Sequence, residues 1–96
     1  MIVSFADKAT EDLFHNRASV RSREYSKEMK RIALRKLDVL NAAHSLADLR
    51  SLSGNRLEPL RGDFKGIYSI RINDQWRLVF RLEDSNAYDV QILDYH

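Results

Sequence analysis

Two neighbouring segments, residues 68–73 and 76–81, constrain the fold more than any other feature of this chain. In each segment an apolar residue recurs at every second position: Tyr68, Ile70 and Ile72 in the first, and Trp76, Leu78 and Phe80 in the second. This period of two predicts strands with one buried face, because successive side chains of a strand point to opposite faces. Since only a short polar stretch separates the segments, they predict an antiparallel hairpin.

The length of the hairpin loop follows from the same alternation. A loop of Asn73 and Asp74 alone would place Ile70 opposite Arg77 and interrupt the apolar face. A loop that also includes Gln75 pairs apolar with apolar residues at every position, so the three-residue loop is predicted. This register sets Arg71 opposite Arg77 on the face away from the core. Two such arginines repel each other by roughly 0.2–1 kcal/mol, a cost that is tolerated where an anion binds.

The remaining segments predict helices first and strands after them. A short strand at Ile2–Phe5 precedes a helix from Asp7 to His15, a long helix from about Arg23 to His44 and a short helix capped by Ser45. Pro59 indicates an edge strand or a bulge, and the last strand, residues 87–93, should direct Tyr88, Val90 and Ile92 into the core. The chain is therefore predicted to be one α+β domain, residues 1–96, with the N-terminal strand and helices on one face of a mainly antiparallel sheet and the other face open.

The composition argues against several classes of protein. The chain has no cysteine, which excludes disulfides and thiolate metal sites, and its three histidines lack the spacing of metal ligands. It has no long apolar run and no signal-peptide pattern at its start. These observations predict a cytoplasmic protein without a metal ion, a cofactor or a membrane partner.

The charge is distributed unevenly although the net charge is only +2. Residues 16–36 contain eight Lys or Arg and two Glu, a local charge of +6, whereas residues 83–96 contain four acids and no Lys or Arg. Residues 50–82 carry a local charge of +4. Local positive fields attract phosphates, so RNA is the expected polyanion. For the long helix, whose Lys27, Lys30, Arg31 and Arg35 fall largely off its apolar stripe, a merely solvated basic face is the alternative.

The sheet face with its arginines, followed by Asp94, Tyr95 and His96, has the groups needed to cleave RNA without a metal. The ribose 2′-OH attacks its own phosphate when a base removes its proton, an acid protonates the leaving oxygen and cations stabilise the phosphoryl oxygens. Arg61, Arg71 and Arg77 are candidate cations, since arginine binds phosphate bidentately. His96 suits acid–base work at neutral pH. Tyr95 could stack on a base or transfer a proton, and Asp94 could orient His96 or an arginine.

Three stretches together resemble the HigB-type toxins of bacterial type II toxin–antitoxin systems, within the RelE superfamily. They are Gly54–Asp63, which contains Leu57-Glu58-Pro59-Leu60-Arg61-Gly62-Asp63, then Tyr68–Leu78 with its Trp76-Arg77 pair, and the closing Asp94–His96. The resemblance implies a RelE-like fold and a ribosome-dependent endoribonuclease that cuts mRNA in the decoding site and arrests translation. It also implies a HigA-like helix-turn-helix antitoxin as partner, the 70S ribosome as binding platform, and contact with operator DNA only through the antitoxin complex.

The resemblance also implies roles for individual residues. Arg61 and Arg77 would contact the phosphate or the transition state, and Asp94, Tyr95 and His96 would act in catalysis or in positioning the substrate. Some members have His where this chain has Glu58, so either Glu58 acts as the base or the proton chemistry rests on Tyr95 and His96. The full predicted phosphate-binding set is Arg56, Arg61, Lys65, Arg71, Lys27, Lys30, Arg31 and Arg35.

Two readings compete with a nuclease. A non-catalytic RNA- or ribosome-binding module, which blocks translation by occupancy alone, would use the same basic faces. A DNA-binding regulator is less well supported, because the sequence has no evident helix-turn-helix pattern.

Overall fold

The computed structural model describes residues 1–18, 21–50, 56–60 and 66–94. The helices are α1 (Lys8–Phe14), α2 (Lys27–Ala42) and α3 (Leu46–Arg50), and a 3₁₀ turn covers Arg21–Glu24. The strands are β1 (Glu58–Pro59), β2 (Ile67–Arg71), β3 (Trp76–Glu83) and β4 (Asn86–Asp94). The four strands form one sheet in the order β1-β2-β3-β4 with antiparallel neighbours. The predicted α+β class is confirmed.

Side-chain caps determine where the helices begin. The Asp7 carboxylate accepts a hydrogen bond from the Thr10 amide at 2.8 Å, which confirms the predicted start of α1. The start predicted for the long helix, Arg23, is wrong: the Ser26 hydroxyl accepts from the Met29 amide at 3.0 Å and α2 begins at Lys27. No helix within the described residues has the length and apolar character needed to cross a membrane.

The central hairpin has the predicted register. Arg71 pairs with Arg77, Ile70 with Leu78 and Tyr68 with Phe80. In the three-residue loop the Asn73 side-chain oxygen accepts hydrogen bonds from the backbone amides of the second and third residues after it, at 2.9 and 2.8 Å. Such a side-chain turn satisfies backbone donors that the strands leave unpaired, and so it stabilises this loop length.

The core lies between α2 and one face of the sheet. Met29, Ala33, Leu37 and Leu40 form the buried stripe of α2 and belong to the same core cluster as the inward-facing strand residues. On the strands these are Ile70, Ile72, Leu78, Phe80, Ala87, Val90 and Ile92. Tyr25 packs edge-on against Trp76, with ring centroids 5.1 Å apart, and covers the hairpin end of the core. The face of the hairpin that points away from α2 is therefore backed by a packed core.

The prediction that Tyr88 points into the core is wrong. The register between β3 and β4 shifts between Val79 and Arg81, and Asp89 has a φ of 53°. This bulge adds one residue to β4 and reverses the parity before it, as β-bulges do. Tyr88 therefore pairs with Arg81 and its ring lies 4.8 Å from the Arg81 guanidinium carbon, whereas Ala87 takes the core position.

The two sheet edges differ. At one edge, Pro59 lies in the two-residue strand β1, as predicted for a residue that lacks a backbone donor. At the other edge, the predicted strand Ile2–Phe5 is reduced to two isolated parallel bridges with β4, Ile2 to Ala87 and Phe5 to Val90. The bulge at Asp89 accompanies this irregular pairing, since the Asp89 amide donates to the Ser4 hydroxyl at 2.9 Å.

Candidate active site on the outer sheet face

The outer sheet face, which is the face turned away from α2, carries Ser69, Arg71, Arg77, Val79 and Arg81. Its centre is buried rather than open: Ser69 is 0% exposed, Val79 5% and Arg77 8%. The expectation that Arg77 lies on an open surface is therefore wrong. One physical reason is that the backbone leading into β1 reaches the Arg77 side chain, as described next. The rim of the face, with Arg71 and Arg81, is more exposed.

Arg77 is held by hydrogen bonds from two directions. Its Nε donates to the Ser69 hydroxyl at 2.9 Å, and its Nη2 donates to the Ser69 carbonyl at 3.4 Å and the Arg56 carbonyl at 2.7 Å. Arg56 has a φ of 46°, in the left-handed region that residues other than glycine rarely adopt, and such strain often accompanies functional sites. The result is a cation fixed within the sheet, where its field is screened less than in water.

Arg71 lies opposite Arg77, as predicted, but forms an ion pair with Asp74 of the hairpin loop. Its side chain is 32% exposed, whereas that of Asp74 is almost fully exposed. The loop carboxylate therefore lowers the repulsion between the two arginines. Because the pair lies at the rim, an incoming phosphate can still approach Arg71.

Arg81, which the sequence analysis did not assign to the site, lies at the far end of the face. It pairs with Glu83 and approaches Asp89 at 3.6 Å, and its guanidinium lies over the Tyr88 ring. The two carboxylates balance the charge of Arg81, and the aromatic ring orients its guanidinium. Arg81 thus has a structural role on the strand that also carries Arg77.

The two predicted carboxylates lie in different places. Glu58 is exposed on β1 and is the register partner of Ser69, which puts it on the same face as Arg77. Asp94 is the register partner of Trp76 and so has the opposite parity to Arg77. Its carboxylate accepts a hydrogen bond from the Gln75 side chain at 3.1 Å. The structure therefore brings Glu58, and not Asp94, to the face of Arg77.

Four predicted site residues lie outside the described part of the chain: Arg61, Lys65, Tyr95 and His96. Their roles stay predictions from sequence. The same is true of most of the loop motif, including Gly54, Gly62 and Asp63.

The basic residues of α2 form a second positive region, the basic helix face, made of Lys27, Lys30, Arg31 and Arg35. Three of them are exposed, and Lys30 is half-buried in a groove of about 250 Å³ that also contacts Leu13 and residues 16–18. Arg31 approaches Glu28 at 3.9 Å. Burial lowers the pKa of the neighbouring Lys36, and the Arg35 charge lowers this pKa further.

Sequence reasoning missed Ser69, which it treated as an ordinary polar residue of β2. The hairpin register already contained the signal, because Ser69 is the diagonal neighbour of Arg77 on one face. No group of three or more acidic, histidine or cysteine side chains that could bind a metal ion occurs within the described ranges.

The fold is shared with solved structures of YoeB-type toxin chains. In a YoeB–YefM complex from Staphylococcus aureus, a chain with 19% identity superposes with a TM-score of 0.62 over 100% of this chain and 98% of its own length. A YoeB/ParE toxin from Agrobacterium tumefaciens, 18% identical, gives a TM-score of 0.63 over 99% and 98% of the two chains. At these identities the likeness concerns the fold alone.

Sequence comparison identifies the family within this class. The profile described as "RelE-like toxin of type II toxin-antitoxin system HigB" matches residues 3–96. Toxin HigB-1 of Vibrio cholerae serotype O1 is 38% identical over 96 residues, which cover 100% of this chain and 98% of the relative. Endoribonuclease HigB of Proteus vulgaris is 32% identical over 98 residues and the full length of both chains. The chain belongs to the family of RelE-like HigB toxins of type II toxin–antitoxin systems.

Proposed function

We propose that this protein is an endoribonuclease that cleaves mRNA in the decoding site of the ribosome and so inhibits translation in the cytoplasm. One observation supports the proposal most directly: Arg77 is buried, oriented by the protein and located on a face with further arginines. The relative from Proteus vulgaris carries the name endoribonuclease. A fixed cation of this kind suits the stabilisation of charge on a phosphoryl group.

The proposed reaction is attack of the ribose 2′-OH on the adjacent phosphate. Arg77 binds the phosphoryl oxygens, and Arg71 at the rim of the face contributes a second positive charge. Tyr95 and His96 supply the acid–base groups, with Glu58 as the alternative base because it lies on the face of Arg77. Asp94 holds the hairpin end through Gln75. Arg56, Arg61 and Lys65 contact flanking phosphates.

The rival function is occupancy of the ribosome without cleavage, and mapping of mRNA 5′ ends separates the two. Induction of the protein should produce new 5′ ends within translated reading frames, and these ends should be lost when translation initiation is blocked. Growth arrest without new ends would show that occupancy alone inhibits translation. New ends that persist without ribosomes would contradict the ribosome-dependent part of the proposal.

The basic helix face is expected to bind ribosomal RNA. Replacing Lys27, Lys30, Arg31 and Arg35 together by glutamine should weaken ribosome binding and flatten its dependence on salt. The slope of log K against log salt is negative, and each lost phosphate contact makes it shallower by about 0.7–0.9, because fewer counterions are released. Co-sedimentation with 70S ribosomes over a salt series measures both quantities.

Glu28→Gln is the matched control for this quadruple variant, because it removes a charge of opposite sign from the same helix. It should leave binding unchanged or strengthen it. If the quadruple variant binds as the wild type does at low and moderate salt, the basic face is only solvated.

We also propose that a HigA-like helix-turn-helix antitoxin neutralises the toxin by direct binding, and that operator DNA is contacted only through this complex. Membership in a toxin–antitoxin family supports the proposal. Co-expression with the antitoxin gene, expected beside the toxin gene, should restore growth and yield a complex that co-purifies. Recovery of growth without a detectable complex would contradict direct neutralisation.

A further inference from the structure

We propose that Ser69 is a positioning residue that fixes the orientation of the Arg77 guanidinium toward the scissile phosphate. This inference rests on the proposed role of Arg77 in cleavage. Ser69 itself does not contact the substrate in this arrangement; it acts through the arginine beside it.

The register of β2 and β3 creates this contact. Ser69 pairs with Val79, two residues after Arg77, so that Ser69 and Arg77 are diagonal neighbours on the outer sheet face. Serine suits this position, because the buried Arg77 guanidinium contacts both its hydroxyl and its carbonyl. Ser69 is 0% exposed, and its hydroxyl accepts the Arg77 Nε–H at 2.9 Å.

The contacts fix the guanidinium as a plane and not only as a charge. Nε and Nη2 lie on one edge of the group, and both donate to Ser69, through its hydroxyl and its carbonyl. Nη2 also donates to the Arg56 carbonyl, from outside the strand pair. The protein thus directs both Nε and Nη2, and because the guanidinium is planar these bonds also determine where Nη1 points.

We call these three hydrogen bonds of Arg77 the clamp. The Ser69 hydroxyl is the part of the clamp that a substitution can remove without changing the backbone. Without it, the Nε–H loses its acceptor at the Ser69 side chain, while the hydrogen bonds from Nη2 to the Ser69 and Arg56 carbonyls remain. The charge stays in the site but its direction becomes less defined. Since electrostatic catalysis depends on donors that are oriented before the reaction, the rate should fall more than binding does.

The test compares Ser69→Ala with wild type in single-turnover cleavage of mRNA on purified ribosomes. We expect the cleavage rate to fall by about 10- to 100-fold, less than the roughly 10²–10³-fold that loss of the oriented donor itself costs, because the guanidinium stays in the site, while ribosome co-sedimentation is unchanged. Thr10→Val is the matched control. It removes another fully buried hydroxyl, which lies on α1 and accepts from the Ile92 amide at 3.0 Å rather than from an arginine, and should lower the melting temperature without changing the rate.

A double-mutant cycle distinguishes positioning from a general structural effect. In an Arg77→Lys background, Ser69→Ala should cause little further loss, because lysine has no Nε–H of the guanidinium type for Ser69 to orient. A wild-type rate for Ser69→Ala, or an equal loss in both backgrounds, would overturn the proposal. Ser69→Cys keeps the shape and offers only a weak acceptor, so it provides the same cycle if the alanine variant does not fold.

A spectroscopic measurement separates failure of this inference from failure of the proposed function. In protein labelled with ¹⁵N-arginine, Ser69→Ala should shift the Arg77 Nε–H resonance and speed its exchange with solvent, and Thr10→Val should not. If the resonance responds but Arg77→Lys cleaves at the wild-type rate, the clamp exists and the proposed role of Arg77 is wrong. If the resonance does not respond, the clamp itself is refuted.

Discussion

Replacement of Arg77 by lysine is expected to slow single-turnover cleavage by about 10²–10³-fold, which corresponds to roughly 3–4 kcal/mol of transition-state stabilisation. Lysine keeps the positive charge but replaces the planar fork by a single ammonium group. It cannot donate to Ser69 and to the Arg56 carbonyl in the observed geometry while also presenting donors to a phosphate. Ribosome binding should persist, because the basic helix face is unchanged.

Arg81→Lys is the matched control for this prediction. Arg81 lies on the same strand and face but pairs with Glu83 and Asp89, so its replacement should change the rate by less than about threefold, as expected for a surface ion pair. Melting temperatures of both variants are needed, since Arg77 is buried. A folded Arg77→Lys variant that cleaves as fast as wild type would refute the catalytic assignment.

The hairpin could be predicted in detail because one local rule determined it. Side chains alternate with a period of two, so only one loop length keeps Ile70 and Leu78 on the same face, and the structure has that pairing. The cap of α1 was equally local, since the Asp7 carboxylate accepts a hydrogen bond from the amide of Thr10, three residues later. For these two features, which depend on neighbours within a few residues, sequence reasoning was sufficient.

Tyr88 was predicted wrongly because a bulge reverses strand parity. The backbone at Asp89 adopts the left-handed conformation, which Asp tolerates better than most residues. Its amide bonds to Ser4, which is 85 residues away in sequence. Alternation within β4 alone gave no sign of this distant contact.

The state of Arg77 depended on a distant segment in the same way. The sequence correctly predicted which face of the sheet carries Arg77, but the burial of Arg77 involves the Arg56 carbonyl, 21 residues earlier in the chain. The sequence therefore predicted which side chains share this face, and the tertiary structure shows how Arg77 is held there. The sequence alone showed Ser69 as a polar residue of β2, and the structure adds its hydrogen bond to Arg77, which can be tested.

Deletion of His96 is expected to lower single-turnover cleavage by about 10²–10⁴-fold, the loss typical of a missing general acid or base. The expectation comes from the sequence, in which an imidazole follows Tyr95 in the closing motif of the chain. An imidazole with a pKa near 6.5 can exchange protons at neutral pH. Binding to the ribosome should remain close to wild type, because the arginines and the basic helix face are retained.

Glu58→Gln decides between the two candidate bases, since Glu58 is the carboxylate that shares the face of Arg77. If His96 carries the proton chemistry, Glu58→Gln should retain most of the rate and the wild-type pH profile, and His96 deletion should remove one limb of that profile. If the wild-type rate falls along that limb as the pH is lowered, His96 acts as a base. If the rate falls as the pH is raised, His96 acts as an acid. The opposite pattern, a large loss in Glu58→Gln with an unchanged rate after His96 deletion, would assign the base to the β1 carboxylate. Parallel loss of cleavage and co-sedimentation in the His96 variant would instead make His96 a docking residue.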